Sequence, residues 1–201
     1  MPRMSGADRR RQILATAVDV ILKKGVAGAA TRDVTQALGV GAGLLHHYFA
    51  SWDSLRAEAI KLAVQREIDE LKEVVAAHPD KEVFACFANW MVEDEDMRHW
   101  RLWLNAQDEA HRDDALAEVM NIAMMDWHAT IRDVLERGLA GRTPVPADLA
   151  AAAWRVAAVM DGLAGAMLVK GSIMTVSQAR ALILSQLELE GLGQTQRQTS
   201  L

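Results

Sequence analysis

Little in this chain supports anything but helices. It has one cysteine, Cys86, in 201 residues, so no internal disulfide can form and a reducing, cytoplasmic setting is expected. Four prolines, an aromatic content of 5%, few β-branched residues and much Ala, Leu, Glu, Arg and Met favour helix over sheet. No apolar run follows the basic opening MPRMSGADRRRQ, so no signal peptide is expected. The longest apolar stretch, Val156 to Val169, is broken by Asp161 and is too short to span a bilayer, so no membrane partner is expected. Signs of catalysis are as sparse. Cys86 sits among apolar residues, a setting for inert packing rather than for an activated thiolate. The six histidines have no HExxH or comparable spacing, and no Gly-rich phosphate loop follows a strand. The four acids Glu93 to Asp96 would diverge on a helix instead of converging on a metal, and read as a solvated turn. No catalytic residue, metal or cofactor is expected, and the chain is read as a non-enzyme.

What is present is unevenly distributed charge. The whole chain carries −5, which by itself argues against nucleic acid. Residues 1–60, however, hold eight Lys/Arg against five Asp/Glu, and residues 61–201 hold fourteen against twenty-two. A head of net +3 on a body of net −8 puts any phosphate-facing surface at the N-terminal end. The cluster Arg9, Arg10 and Arg11, read as lying just before the first helix, is a candidate for reaching a phosphate backbone. The alternative for it is a soluble, frayed chain end.

The twenty residues TRDVTQALGVGAGLLHHYFA, from Thr31 to Ala50, have the layout of a DNA-reading helix-turn-helix. Thr31 is a candidate N-cap. Val34 and Leu38, one turn apart, give a short helix one apolar stripe. Gly39 falls where a positive φ is cheapest. Gly41, Ala42 and Gly43 open a second helix whose apolar face carries Leu45, Tyr48 and Phe49. Two helices joined this tightly cross steeply, and the second projects from the surface toward a major groove.

Elsewhere the periodicity predicts an all-α protein of about nine helices. The first runs over 7–24 and is closed by Gly25. A long fourth helix starts at Ser51 and ends near His78-Pro79. Further helices are expected over 81–91, 97–109, 113–139, 148–170 and 176–190. The 148–170 helix is apolar on nearly every face and is expected to be buried on both sides. Its small residues, such as Ala158, permit close approach of a second helix, so with the last helix it is expected to form half of a two-fold four-helix homodimer interface. Glu at Ala158 or at Ile183 should then give monomers. The organisation expected is a DNA-binding domain over 1–52, an effector-binding and dimerisation domain over 53–190, and a polar, disordered tail over 191–201.

At this level the whole chain resembles the TetR family of bacterial transcriptional repressors. The resemblance rests on TRDVTQALGVGAGLLHHYF, on the fourth-helix opening Ser51-x-x-x-Leu55, and on a helical body of the right size. Within the family the body is most similar to the BetI-like branch, named for a choline-responsive repressor. Trp103-Leu104 followed by Glu109-Ala110, and Met160-Asp161-Gly162-Leu163 followed by Gly171, carry that likeness. Thr35 stands where the family has mostly Ala, Trp52 where it often has a phosphate-binding Lys, and Ala106 and Gln107 where the branch has a second aromatic pair.

The resemblance implies a ligand-responsive DNA-binding repressor, released from a palindromic double-stranded operator by a small-molecule effector. DNA contacts are implied for Thr31, Arg32, Gly41, Ala42, Gly43, His46, His47 and Tyr48. Small residues let backbone approach DNA, and imidazole donates to base edges or phosphate. In the body, Trp rings bind cations through their faces. A cationic or apolar effector is therefore expected against some of Trp90, Trp100, Trp103, Met124, Trp127 and Asp161, with choline and betaine the first candidates by resemblance. The competing reading of these tryptophans is core packing. Two other classes stay open: a helical small-molecule-binding or adaptor protein without DNA binding, and an enzyme.

Overall fold

The computed structural model describes residues 5–93, 97–142 and 148–191. Among the described residues the chain forms α1 (Gly6–Lys24), α2 (Thr31–Leu38), α3 (Ala42–Tyr48), α4 (Trp52–Ala76), α5 (Val83–Val92), α6 (Arg98–Ala110), α7 (Asp114–Gly138), α8 (Leu149–Met167) and α9 (Val176–Glu190). A 3-10 turn over Asp80–Glu82 precedes α5, and no strand occurs among them. The all-α architecture with nine helices is the one expected from the periodicity. Of the expected breaks, residues 94–96, most of the loop before α8 and the tail over 192–201 lie outside the described residues.

The helices assemble into two compact units. One draws on the chain up to Arg66 and on Arg101–Ala123; the other on Glu67–Trp100 and the chain from Met124 onward. In the first unit, α1 buries Ile13, Ala17, Val18 and Ile21 along one stripe. Ser5 caps it by accepting from the Asp8 N–H at 3.1 Å, and Gly25, at φ 83°, ends it. The basic triplet therefore lies inside the helix. The first unit also contains a buried charge cluster. Arg56, its side chain 13% exposed, meets Asp113 at 2.6 Å, Asp53 at 3.1 Å and Glu109 at 3.8 Å. The other Asp113 oxygen accepts from the Leu116 N–H at 3.1 Å and so caps α7. Burial pushes the Asp113 carboxyl up, but the Arg56 bond and the backbone N–H groups outweigh it and hold it below the ordinary carboxylate range.

The second unit is built on Leu71, Phe87, Ile131, Leu135, Leu139, Met160 and Leu187, all essentially inaccessible to solvent. Arg137 of α7 reaches the carbonyls of Val75 (2.9 Å) and His78 (2.6 Å) and the Asp80 carboxylate (2.8 Å), so it satisfies the open end of α4. Gly138 is required where it stands: a Cβ there would lie 2.1 Å from the Phe84 ring. Arg155 ties α8 to α9 through Glu190, at 2.5 Å.

One expectation is corrected in this unit. Helix α8 is not buried on both sides. Ala152, Ala153, Val156, Ala157, Met160, Leu163 and Ala164 face inward, whereas Trp154 is 60% exposed, and Ala158, Gly162 and Gly165 are open as well. Helix α9 divides likewise, with Ala179, Ile183 and Leu187 inside and Leu182 and Leu189 outside. Ile183 is therefore a core residue and not part of an outer face. Hydrophobicity alone cannot separate burial within a chain from a face left for another. By length and mean hydropathy of 1.3, α8 would suit a bilayer span, but its inner stripe and the Arg155–Glu190 pair make it a core helix.

Candidate nucleic-acid interface and body site

The helix-turn-helix is set by short-range bonds around Asp33. The N-cap position of α2 is Ala30, one residue before the expected Thr31. A methyl group cannot cap, and Asp33 performs the complementary half of the task by accepting from the Ala30 N–H at 3.0 Å. Its other oxygen meets Lys24 at the end of α1, at 2.5 Å. That Lys24 bond, more than the backbone one, holds the Asp33 carboxyl below its ordinary range, against the opposing effect of burial. Thr35 bonds back to the Arg32 carbonyl at 2.9 Å, which accommodates it where a smaller residue was expected. Gly39 takes φ 66°, ψ 35°, the left-handed conformation predicted for the turn, and the Val40 N–H donates to the Thr35 carbonyl at 3.0 Å.

Helix α3 has only seven residues, too few to persist alone. It is anchored by Leu45 and Phe49, which are 3% and 4% exposed. Gly41, Ala42, Gly43, His46 and His47 are all exposed, and Tyr48 is half-buried. A Cβ at Gly41 or Gly43 would meet nothing within 4 Å, so no packing within the chain demands glycine there; the backbone simply stays open to an outside surface. The rings of His47 and Tyr48 lie edge to face, centroids 5.0 Å apart. Arg32 projects with 89% of its side chain exposed, and Thr31 is half-buried beside it. Ser51 caps α4 by accepting from the Ser54 N–H at 3.1 Å. The arginine triplet is less free than its sequence suggests. Arg11 pairs with Asp8, Arg9 donates to the Gln12 amide at 2.7 Å, and Arg10 meets Glu58 at 2.5 Å while lying 4.7 Å over the Phe49 ring.

The tryptophans expected around an effector fall into separate groups. In the second unit, the Trp90 and His99 rings stack at 5.5 Å and His99 lies 5.6 Å from Trp100. Trp100 is 5% exposed, and its indole N–H donates to the Met91 carbonyl at 2.8 Å. Trp127 stacks on Phe87 at 6.1 Å, with Met124 one turn earlier on α7. His128 lies against Trp154, centroids 3.7 Å apart. Asp161, although solvent-accessible, has its carboxyl pushed up by the packed surroundings, against the charge of His128. Trp103 belongs to the first unit. A cleft of about 530 Å³ in the second unit, absent from the sequence reading, is lined by residues including Met97, Met167, Met174 and Arg180, and by none of the tryptophans. No periodic signal marked it, because its residues come from three helices and the segments between them.

Fold and site together define an all-α, helix-turn-helix protein that presents a short, glycine-opened helix at its surface. Residues 13–59 match the bacterial regulatory proteins of the tetR family, and residues 79–191 match the C-terminal part of BetI-type transcriptional repressors. The chain belongs to the tetR family of bacterial regulatory proteins, with a C-terminal part of the BetI type. It is similar to the HTH-type transcriptional regulator PksA of Bacillus subtilis (strain 168), 36% identical over 75 residues; the match spans 37% of this chain and 37% of PksA. Its fold is similar to that of a putative transcriptional regulator from Pseudomonas aeruginosa PAO1, with TM-score 0.76, 20% identity, and coverage of 94% of this chain and 93% of that one. It is also similar to a putative transcriptional regulator from Saccharomonospora viridis solved in complex with choline, with TM-score 0.77, 22% identity, and coverage of 90% and 96%.

Proposed function

We propose that the protein is a cytoplasmic homodimer that holds a palindromic operator with two heads and releases it when a small effector binds the body. The observation that carries this reading is the exposed surface of Arg32, Gly41, Ala42, Gly43, His46 and His47, flanked by Thr31 and Tyr48. Residues 1–52 are the head and 53–190 the body. The half-sites would lie about one helical turn, roughly 34 Å, apart. The open apolar faces of α8 and α9 suit a second copy of the chain. The effector is cationic or apolar, and its proposed contacts are some of the second-unit residues Trp90, Trp100, Met124, Trp127 and Asp161, which stand in separate groups and would be drawn on selectively. The choline held by the Saccharomonospora viridis regulator supports the cationic choice. Helix α4, which contributes to both units, is the lever.

The test is a mobility shift on the DNA upstream of the gene. Binding should weaken steeply with salt because phosphates dominate affinity. His47→Ala should lose about tenfold in affinity or change sequence preference, the size of one base contact. If it does neither, His47 is not on the reading face. A protein that shows no salt-sensitive DNA binding at all would be the adaptor instead.

A further inference from the structure

We infer that Arg10 is a positioning residue for DNA binding and not a phosphate contact: it staples the exit of the recognition helix to α1 and α4. The inference rests on the DNA-binding reading above. Arg10 stands three and seven residues before Ile13 and Ala17, so it extends the buried stripe of α1 to its edge. There its guanidinium covers the Phe49 ring at 4.7 Å and pairs with Glu58 in the second turn of α4 at 2.5 Å. One side chain of α1 thus touches the end of α3 and the start of α4. Phe49 is the residue at which α3 ends: its N–H still donates to the Leu45 carbonyl at 2.9 Å, while its own backbone is extended, at φ −134°, ψ 134°. The direction of so short a helix depends on what holds its last residue. Arg10 holds the ring from outside while the core holds it from within. With its charge met by Glu58 and its flat face on an aromatic ring, Arg10 is already engaged inside the head, unlike Arg32, which projects almost fully into solvent.

The two roles predict different responses. The probe is a labelled duplex selected by the unmodified protein from a random-sequence pool, measured against a scrambled duplex over a range of salt. For a positioning residue, Arg10→Met and Glu58→Gln each lower the preference for the selected duplex about three- to tenfold, as loss of one exposed ion pair and one cation–π contact would. The double variant is then no worse than either single, and the salt slope is unchanged. Arg10→Lys, which keeps charge but not the planar face, recovers only part of the preference. For a phosphate contact, Arg10→Met weakens both duplexes alike and reduces the salt slope by about 0.9, Glu58→Gln leaves binding unchanged or tightens it, and Arg10→Lys is near normal. Those results would overturn the proposal. Stoichiometric titration separates a merely unstable head, which lowers the active fraction and leaves the preference of the active molecules intact; that outcome too would overturn it. Arg32→Ala calibrates a true phosphate contact. If the unmodified protein selects no duplex, it is the DNA-binding reading that fails.

Discussion

At the scale of single residues, charges in this chain carry more than one duty. Asp113 caps α7 with one oxygen and holds Arg56 with the other. Asp33 does the same for α2 and Lys24. The Arg56 pairing was not legible in the sequence, because Arg56 and Asp113 are 57 residues apart and only packing brings them together. Asp113→Asn keeps an oxygen for the Leu116 N–H and removes only the charge opposite Arg56. Asp53 and Glu109 stay within reach, so the expected loss is about 2 kcal/mol, below the usual cost of breaking a buried pair. The pH dependence has a definite sign. The carboxyl of Asp113 is lowered in the fold, so its contribution is complete above the unfolded pKa of about 3.9 and is lost as pH falls through the folded value. Thermal midpoints of the two proteins should differ at pH 7 and begin to converge below about pH 4. A gap that holds constant down to pH 3 would assign the loss to packing.

At the scale of elements, the helices were legible and their neighbours were not. Periodicity placed α9 at its observed bounds, and the glycine signal put Gly39 in the left-handed turn, because both act over a few residues. Thr31 misled by one position: its cap signal is real in type, but Asp33 satisfies the start of α2 from inside the helix. Helix α8 misled more, since an all-round apolar pattern does not say which side meets its own chain. Its outer side now gives the oligomer test. Ala158→Glu and Leu182→Glu both place charge on exposed positions, so each should stay folded by circular dichroism and sediment as a monomer. Ile183→Glu is a poor probe, since Ile183 is 1% exposed and the change would disrupt the core. Dimers that survive both outer substitutions would remove this face from the interface.

At the scale of the whole molecule, regulation requires that an effector bind one conformation better than another. Choline and betaine are the probes, followed by tryptophan fluorescence and by operator affinity in the same samples. Choline should quench fluorescence and weaken operator binding. Asp161→Asn should abolish both responses, and choline affinity should fall as the pH is lowered and Asp161, whose carboxyl titrates above the ordinary range, takes up a proton. An unchanged response in Asp161→Asn would return the tryptophans to core packing and leave the regulator assignment standing.

The same scale separates what the chain determines alone from what folding decides. Helix content, the turn at Gly39 and the exposed small-residue opening of α3 were readable from order and composition, because helix propensity and backbone conformation are local properties. The family followed from the segment 31–49 together with the Ser51-x-x-x-Leu55 opening and a helical body of the right size. Which arginine is engaged within the chain, which tryptophans share a neighbourhood and which side of α8 is bare were decided only by tertiary structure. Each depends on residues far apart in the chain: Glu58 and Phe49 engage Arg10, Met91 takes the Trp100 indole, and α9 covers one side of α8 and leaves the other open.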